Sequence, residues 1–421
     1  MTALIVIAST LLALLGTPLF VLIGFGALAG FHFVAEIPIA ALVQEMARLA
    51  QAPALSALPL FTLAGFLMAE SKTPERLVDV AQSLFGWMPG GLAIVSLVVC
   101  AVFTALTGAS GVTIIALGGL LLPALVKENY PEQFSLGLLT SSGSLGLLFP
   151  PSLPLILFGL VASVSIDDLF VAGILPGIVI VVLLSLYSVF IGVRKNVPRH
   201  AFDRKRIGRA LWNARWELPI PVIILGGIYL GLMTASEAAS VTAMYVLIVE
   251  VFLYRDIKFR DLPRIGVESM SMIGAILLIL GVAMGFTNFL IDQRVPYYAL
   301  EWMQQFIHSQ VGFLLTLNLF LLIVGCLMDI FSAIVVVVPL ILPIAQEFGV
   351  HPVHLGIIFL TNLEIGYSTP PVGMNLFLAS FRFEKSITTL YRSVLPWLGV
   401  MIVALLLVTY VPELSLWFVE H

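Results

Sequence analysis

The stretch SSGSLGLLFPPSLPLILFG, Ser141 to Gly159, carries a Pro-Pro pair inside a long apolar run, and LTNLEIGYSTPPVGMNLF, Leu360 to Phe377, carries another. Proline has no amide to donate and its ring clashes with the preceding turn, so each pair breaks a helix. The flanking sequence is apolar enough to lie in a bilayer. There, freed carbonyls and amides are tolerated only where protein or a polar cavity satisfies them. Unwound carbonyls and half-helix ends of this kind coordinate Na⁺ without any formal charge. Ser141 to Pro151 and Asn362 to Pro371 are therefore candidate ion sites.

The two stretches are copies. Pro123 matches Pro343, Gly146 matches Gly366 and Pro150-Pro151 matches Pro370-Pro371, all at an offset of 220 residues, and Gly65 with Gly285 falls on the same offset. An internal repeat with broken helices in both halves is a transporter architecture.

Composition agrees with a membrane setting. Of 421 residues, 60% are apolar and 10% charged, against about 45–50% and about 25% in soluble domains. The charge of −4 leaves no basic face for nucleic acid. Cys100 and Cys326 both sit in apolar runs, which excludes a disulfide framework or a CxxC metal pair. Neither HExxH nor a Walker A motif is present, so the chain reads as no enzyme, and an ion gradient must supply the energy. The first apolar stretch, Ala3 to Ala29, lacks a basic flank and a cleavage site and is expected to stay in the protein.

Full spans are expected at 3–15, 18–31, 54–71, 132–164, 169–193, 218–233, 236–254, 267–289, 353–381 and 392–413. The runs 91–125 and 311–345 are interrupted at their centres by Thr107-Gly108-Ala109-Ser110-Gly111 and Met328-Asp329-Ile330-Phe331-Ser332. Each is two spans or a re-entrant hairpin, and the repeat favours hairpins. With both termini outside, eighteen of the twenty Lys and Arg face the cytoplasm and only Arg48 and Arg294 do not, as the positive-inside rule requires. The two copies then enter from opposite sides. The expected fold is an all-α polytopic membrane protein with two inverted repeats, 1–200 and 218–421, around a basic interfacial arm at 201–217. The hairpin tips would face the breaks with Thr107, Gly108 and Ser110 in one half and Gly325, Asp329 and Ser332 in the other.

At these residues the sequence resembles the large membrane subunit of a tripartite ATP-independent periplasmic (TRAP) transporter. The resembling motifs are GASGVTIIALGGLLLPAL, GLLFPPSLPLILFG, GGIYLGLMTASEAASVTAMYVLIV and MDIFSAIVVVVPLILPIAQEFGVHPVHLGIIFLTNLEIGYSTPPVGMNLFLAS. The resemblance implies Na⁺-driven import of a small, carboxylate-bearing organic solute across a bacterial or archaeal inner membrane, by an elevator movement of the hairpin-bearing part. It also implies a small four-helix membrane subunit, expected as a separate chain, and a periplasmic binding protein that delivers the solute. Two or more Na⁺ sites are implied: Thr107, Gly108, Ser110, Ser141, Ser142, Gly143 and Gly146 in the first half, and Gly325, Asp329, Ser332, Gly366, Thr369 and Val372 in the second. Candidate solute contacts are Ser110, Ser142, Asn362, Ser368 and Asn375. Ile330-Phe331 departs from the family's small or hydroxyl residues after Met328-Asp329. A stand-alone Na⁺ or H⁺ symporter of related hairpin architecture, and an ion channel or membrane scaffold, are the alternative readings.

Among charged residues, Glu237 in TASE has capping-box spacing with Thr234. Asp329 is expensive at membrane depth, where such residues mark function; cation support or gating stands beside a hairpin-turn cap. Glu364 stands between a site role and pairing with a scaffold residue. His351 and His354, beside Pro352, lack further ligands for a metal.

Overall fold

The computed structural model describes residues 19–34, 51–198 and 202–419, with isolated positions before residue 51. The expected span at 3–15, Arg48 and the chain ends fall outside the described residues, apart from a few positions after Ser9. Among the described residues every regular element is a helix. Seven are long and apolar enough to cross a bilayer, and the bent pair Glu132–Leu148 with Leu153–Ala162 makes an eighth.

The run 91–125 forms two arms, Gly91–Thr107 and Ser110–Lys127. They meet at Gly108, whose φ of +67° and 2.7 Å amide bond to the Thr104 carbonyl close the first arm. The run 311–345 likewise forms Gln310–Leu327 and Ile330–Glu347. Asp329 joins them and its Oδ1 accepts from the Ser332 amide at 3.0 Å, so this carboxylate caps a helix. Arms of 17 or 18 residues rise about 26 Å, close to a hydrocarbon core of about 30 Å, so length alone does not separate a hairpin from two spans. Fifteen residues of Gly91–Thr107 are buried, however, and Thr107 and Ser110 at the first tip are 1% and 5% exposed. That tip lies inside protein.

The first broken helix runs Glu132–Ser142, turns through Leu145–Leu148 and Pro150-Pro151, and resumes as Leu153–Ala162 with its axis bent by 47°. The second runs Pro352–Gly366 and resumes as Met374–Phe383 after Pro370-Pro371. Both Pro-Pro bonds are cis. The halves cross: Ser110–Lys127 packs on Met374–Phe383, and Ile330–Glu347 packs on Leu153–Ala162. A second group is formed by Leu19–Phe33 and Ala57–Glu70 against Leu262–Asp292, with Ala235–Ile248 on Ala57–Glu70; it meets the first where Ala57–Glu70 packs on Gly91–Thr107 and Leu262–Asp292 on Ile330–Glu347.

The expected span 218–233 is shorter, Pro219–Tyr229, because Gly231 turns the chain at φ +67° and a new helix starts at Thr234. There the capping box forms: the Glu237 amide donates to Thr234 Oγ1, and Glu237 Oε2 accepts from the Thr234 amide at 2.8 Å. The expected 267–289 span is longer, Leu262–Asp292. The basic segment folds as Arg204–Asn213 and rests partly on protein. Ala210 and Ala214 pack on Val80, and Arg206 donates to Gln82 at 2.7 Å, while Trp212 stays 67% exposed.

One cation ties this end of the molecule together. Arg76 pairs with Glu217 and Asp256, lies 3.9 Å from Glu250 and stacks over Tyr254 at 3.7 Å. Burial and the adjoining Glu217 carboxylate push the Tyr254 phenol up to about 12. Removing the guanidinium strands three carboxylates, two of them 1% exposed. Arg76→Met should therefore cost about 3–5 kcal/mol, read as a lowered Tm of the purified chain; an unchanged Tm contradicts this role.

Candidate functional site

In the first half, the break presses on a hairpin arm with no side chain between them. A Cβ on Gly146 would fall 2.2 Å from the Ala101 carbonyl oxygen and 2.3 Å from the Ala105 amide nitrogen. Beside this contact, Thr104 Oγ1 donates to the Gly143 carbonyl at 2.8 Å and lies 2.6 Å from Thr113 Oγ1. Ser141 Oγ is buried without a partner among the described residues, and Ser142 Oγ reaches the Leu139 carbonyl at 3.5 Å. Thr107 is turned back on its own helix, bonding the Phe103 carbonyl at 2.9 Å.

The second half repeats the contact. A Cβ on Gly366 would fall 2.6 Å from both Gly325 Cα and its carbonyl carbon. Gly325 and Ala105 are related by the same 220-residue offset as Gly366 and Gly146. Cys326 Sγ lies 3.3 Å from the Thr369 carbonyl oxygen, and Thr369 Oγ1 donates to Ile365 at 2.8 Å. The Ile330 amide donates to the Tyr367 hydroxyl, pinning the second tip to the break. Ser332 is buried beside Asp329, and Val372 is 40% exposed in the break.

The breaks also touch each other. Ser144 Oγ donates to the Glu364 carbonyl at 3.2 Å, and these two residues are themselves 220 apart. Asn375 Nδ2 reaches the Thr140 carbonyl and Ser144 Oγ, each at 3.3 Å, and Ser368 Oγ reaches Thr140 at 3.5 Å. Asn362 Nδ2 donates to Asn318 Oδ1 at 2.7 Å, and Asn318 continues to Thr409. The Glu364 side chain is fully buried, and neither carboxyl oxygen has a hydrogen-bond partner among the described residues. It pairs with no scaffold residue.

A cavity of about 530 Å³ opens where the two hairpin tips approach helix Leu262–Asp292. The first tip contributes Gly108 to Val112, the second Asp329, Ile330 and Phe331, and the second break Tyr367 and Met374. The facing helix presents Met272, Ala275, Ile276 and Ile279, one stripe at helical spacing. Of the five expected solute contacts only Ser110 lines this cavity; Ser142, Asn362, Ser368 and Asn375 are 0% exposed, and the last three tie helices together. Sequence reasoning missed Thr104 and Thr113, although hydroxyls near one turn either side of the Thr107–Ser110 tip were a visible signal. It also missed Tyr367 and the Met272–Ile279 stripe, which depend on contacts between segments far apart in the chain.

The donors gathered at the two breaks are neutral oxygens: Thr104 and Thr113 hydroxyls with the Gly143 carbonyl, and the Thr369 hydroxyl and carbonyl. With Ser141 Oγ unpartnered, this set fits Na⁺. No cluster of His, Cys, Asp or Glu suited to a metal occurs among the described residues.

Residues 5–414 match the family described as tripartite ATP-independent periplasmic transporter, DctM component. The C4-dicarboxylate TRAP transporter large permease of Pseudomonas aeruginosa is 37% identical over 86% of this chain and 85% of its own length. The isethionate TRAP transporter permease of Oleidesulfovibrio alaskensis is 35% identical over 97% of this chain, which spans 65% of that relative. The solved YdaH transporter of Alcanivorax borkumensis shares the fold at a TM-score of 0.57 and 12% identity, over 87% of this chain and 86% of that one.

Because Gly366 meets backbone, even a methyl must push the arm away. Gly366→Ala should lose about 1–3 kcal/mol as a lowered Tm, while Gly226→Ala, which has open space around it, should stay within about 0.5 kcal/mol. Equal Tm values for the two variants would contradict the close contact.

Proposed function

The chain belongs to the DctM component family of tripartite ATP-independent periplasmic transporters, and on that premise we propose that this large permease couples import of a small organic anion to Na⁺. One observation carries the reading: each broken helix sets a glycine against the backbone of a hairpin arm, Gly146 on Ala101 and Ala105, Gly366 on Gly325. Those contacts gather carbonyls and hydroxyls at two equivalent places. Thr104, Thr113 and Gly143 would hold one ion, and Thr369 with the turn at Gly366 another. Bound Na⁺ would supply the driving gradient and a counter-charge for an anionic solute.

Both runs are read as re-entrant hairpins of inverted repeats 1–200 and 218–421; the buried first tip supports this. In the elevator reading, the interlocked hairpins and broken helices move past the group that contains Leu262–Asp292, and the cavity between them is the solute site. The positive-inside rule puts the termini in the periplasm and the protein in the inner membrane. A small four-helix membrane subunit and a periplasmic binding protein complete the system. Among the described residues no Lys or Arg lines the cavity, which supports selection by the binding protein.

Reconstitution in liposomes tests this. Uptake should appear only with a Na⁺ gradient, the small subunit and a solute-loaded binding protein together; saturable uptake by the chain alone favours the stand-alone symporter, and uptake indifferent to replacing Na⁺ by K⁺ refutes coupling. Thr104→Val and Thr369→Val should each raise the Na⁺ concentration for half-activation about tenfold, the loss of one oxygen contact. Unchanged activation in both folded variants counts against these residues.

A further inference from the structure

The two helix starts that meet in the cavity are not alike. Ser110–Lys127 begins after Ala109, which offers no side-chain cap, so the amides of its first turn lack intrahelical partners and carry the positive end of the helix dipole. The Ser110 hydroxyl sits there, 95% buried, lines the cavity and bonds to no other described residue. Ile330–Glu347 begins at Asp329, whose carboxylate already accepts from its first turn. One start attracts an anionic group; the other is already met by a carboxyl group. The lining between them, Met272, Ile276, Ile279, Phe331 and Met374, is apolar, and among the described residues no cationic side chain is there to hold a second acidic group.

We propose, resting on the reading of this cavity as the solute site, that the solute is a monoanion with an apolar body. Its carboxylate or sulfonate lies at Ser110 and the first turn behind it, and its body lies against Phe331 and the Ile276–Ile279 stripe. A dicarboxylate would place its second charge near Asp329 or against aliphatic carbon, both unfavourable. An α-amino acid would bring its ammonium, one carbon from the carboxylate, against the positive end of the same helix, which repels it.

The test measures thermal unfolding of the full chain in lipid nanodiscs, with any membrane subunit that co-purifies. Three probes are titrated in Na⁺ and in K⁺: isocaproate, leucine, which adds an ammonium to the same carbon skeleton, and succinate. Isocaproate should raise Tm saturably, and leucine and succinate should not. Phe331→Ser should weaken the isocaproate response about tenfold or more, as expected for loss of a buried aromatic, and Phe331→Leu should keep most of it. Ser110→Ala should weaken it as well. Stabilisation by succinate or leucine equal to that by isocaproate overturns the proposal. So does the absence of any response, or an isocaproate affinity that Phe331→Ser leaves unchanged while the ligand-free Tm shows a folded variant. Stabilisation of the ligand-free chain by Na⁺ over K⁺ reads the coupling separately, so its failure leaves the ranking of the three solutes intact.

Discussion

A backbone carbonyl or amide freed inside a bilayer must find its partner within the protein, and this chain frees several at Pro150-Pro151 and again at Pro370-Pro371. The residues that make the breaks tolerable are glycines. Gly146 and Gly366 let a hairpin arm approach to backbone contact, so the unwound turns are enclosed by helix rather than lipid. Hydroxyls add to this: Thr104 donates to the Gly143 carbonyl and meets the Thr113 hydroxyl, and Thr369 donates to the Ile365 carbonyl.

The rest of the arrangement follows from enclosing two breaks at once. Each hairpin reaches across to the outgoing piece of the other half's broken helix, and Ser144, Asn375 and Ser368 cross-link the turns at the centre. The assembly is closely packed and its interior polar groups are mostly satisfied by one another. Glu364 stands out among the exceptions, which include Ser141 Oγ and Ser152 Oγ, as a carboxyl with neither oxygen partnered among the described residues. Toward the facing helix Leu262–Asp292 the packing stops, and the two tips leave a cavity instead.

Much of this was legible in the residues. Pro-Pro pairs at matched spacing located the breaks, the interruptions of the two apolar runs located the turns at Gly108 and Asp329, and TASE announced its own cap at Thr234 and Glu237. What could not be read was which polar side chains face a cavity and which face a neighbouring helix. Ser142, Asn362, Ser368 and Asn375 look like solute contacts because they are polar among apolar residues, yet their partners lie as far as 235 residues away in sequence. In the sequence Asp329 stands between cation support and a hairpin-turn cap, and its Oδ1 does accept from the Ser332 amide. The basic arm reads as lipid-facing from its Trp and Arg content, and the contact of Ala210 with Val80 rests on two small residues that carry no signal of their own.

The central claim is that neutral oxygens at the two breaks bind the coupling ion. Equilibrium binding of radiosodium to the purified chain in nanodiscs tests it most directly, because it counts ions without requiring partners or a known solute. The account predicts saturable binding of at least two Na⁺ per chain, undisplaced by K⁺ and reduced when the Thr104 or Thr369 hydroxyl is removed. Binding that fails to saturate, or that both substitutions leave intact, would contradict it.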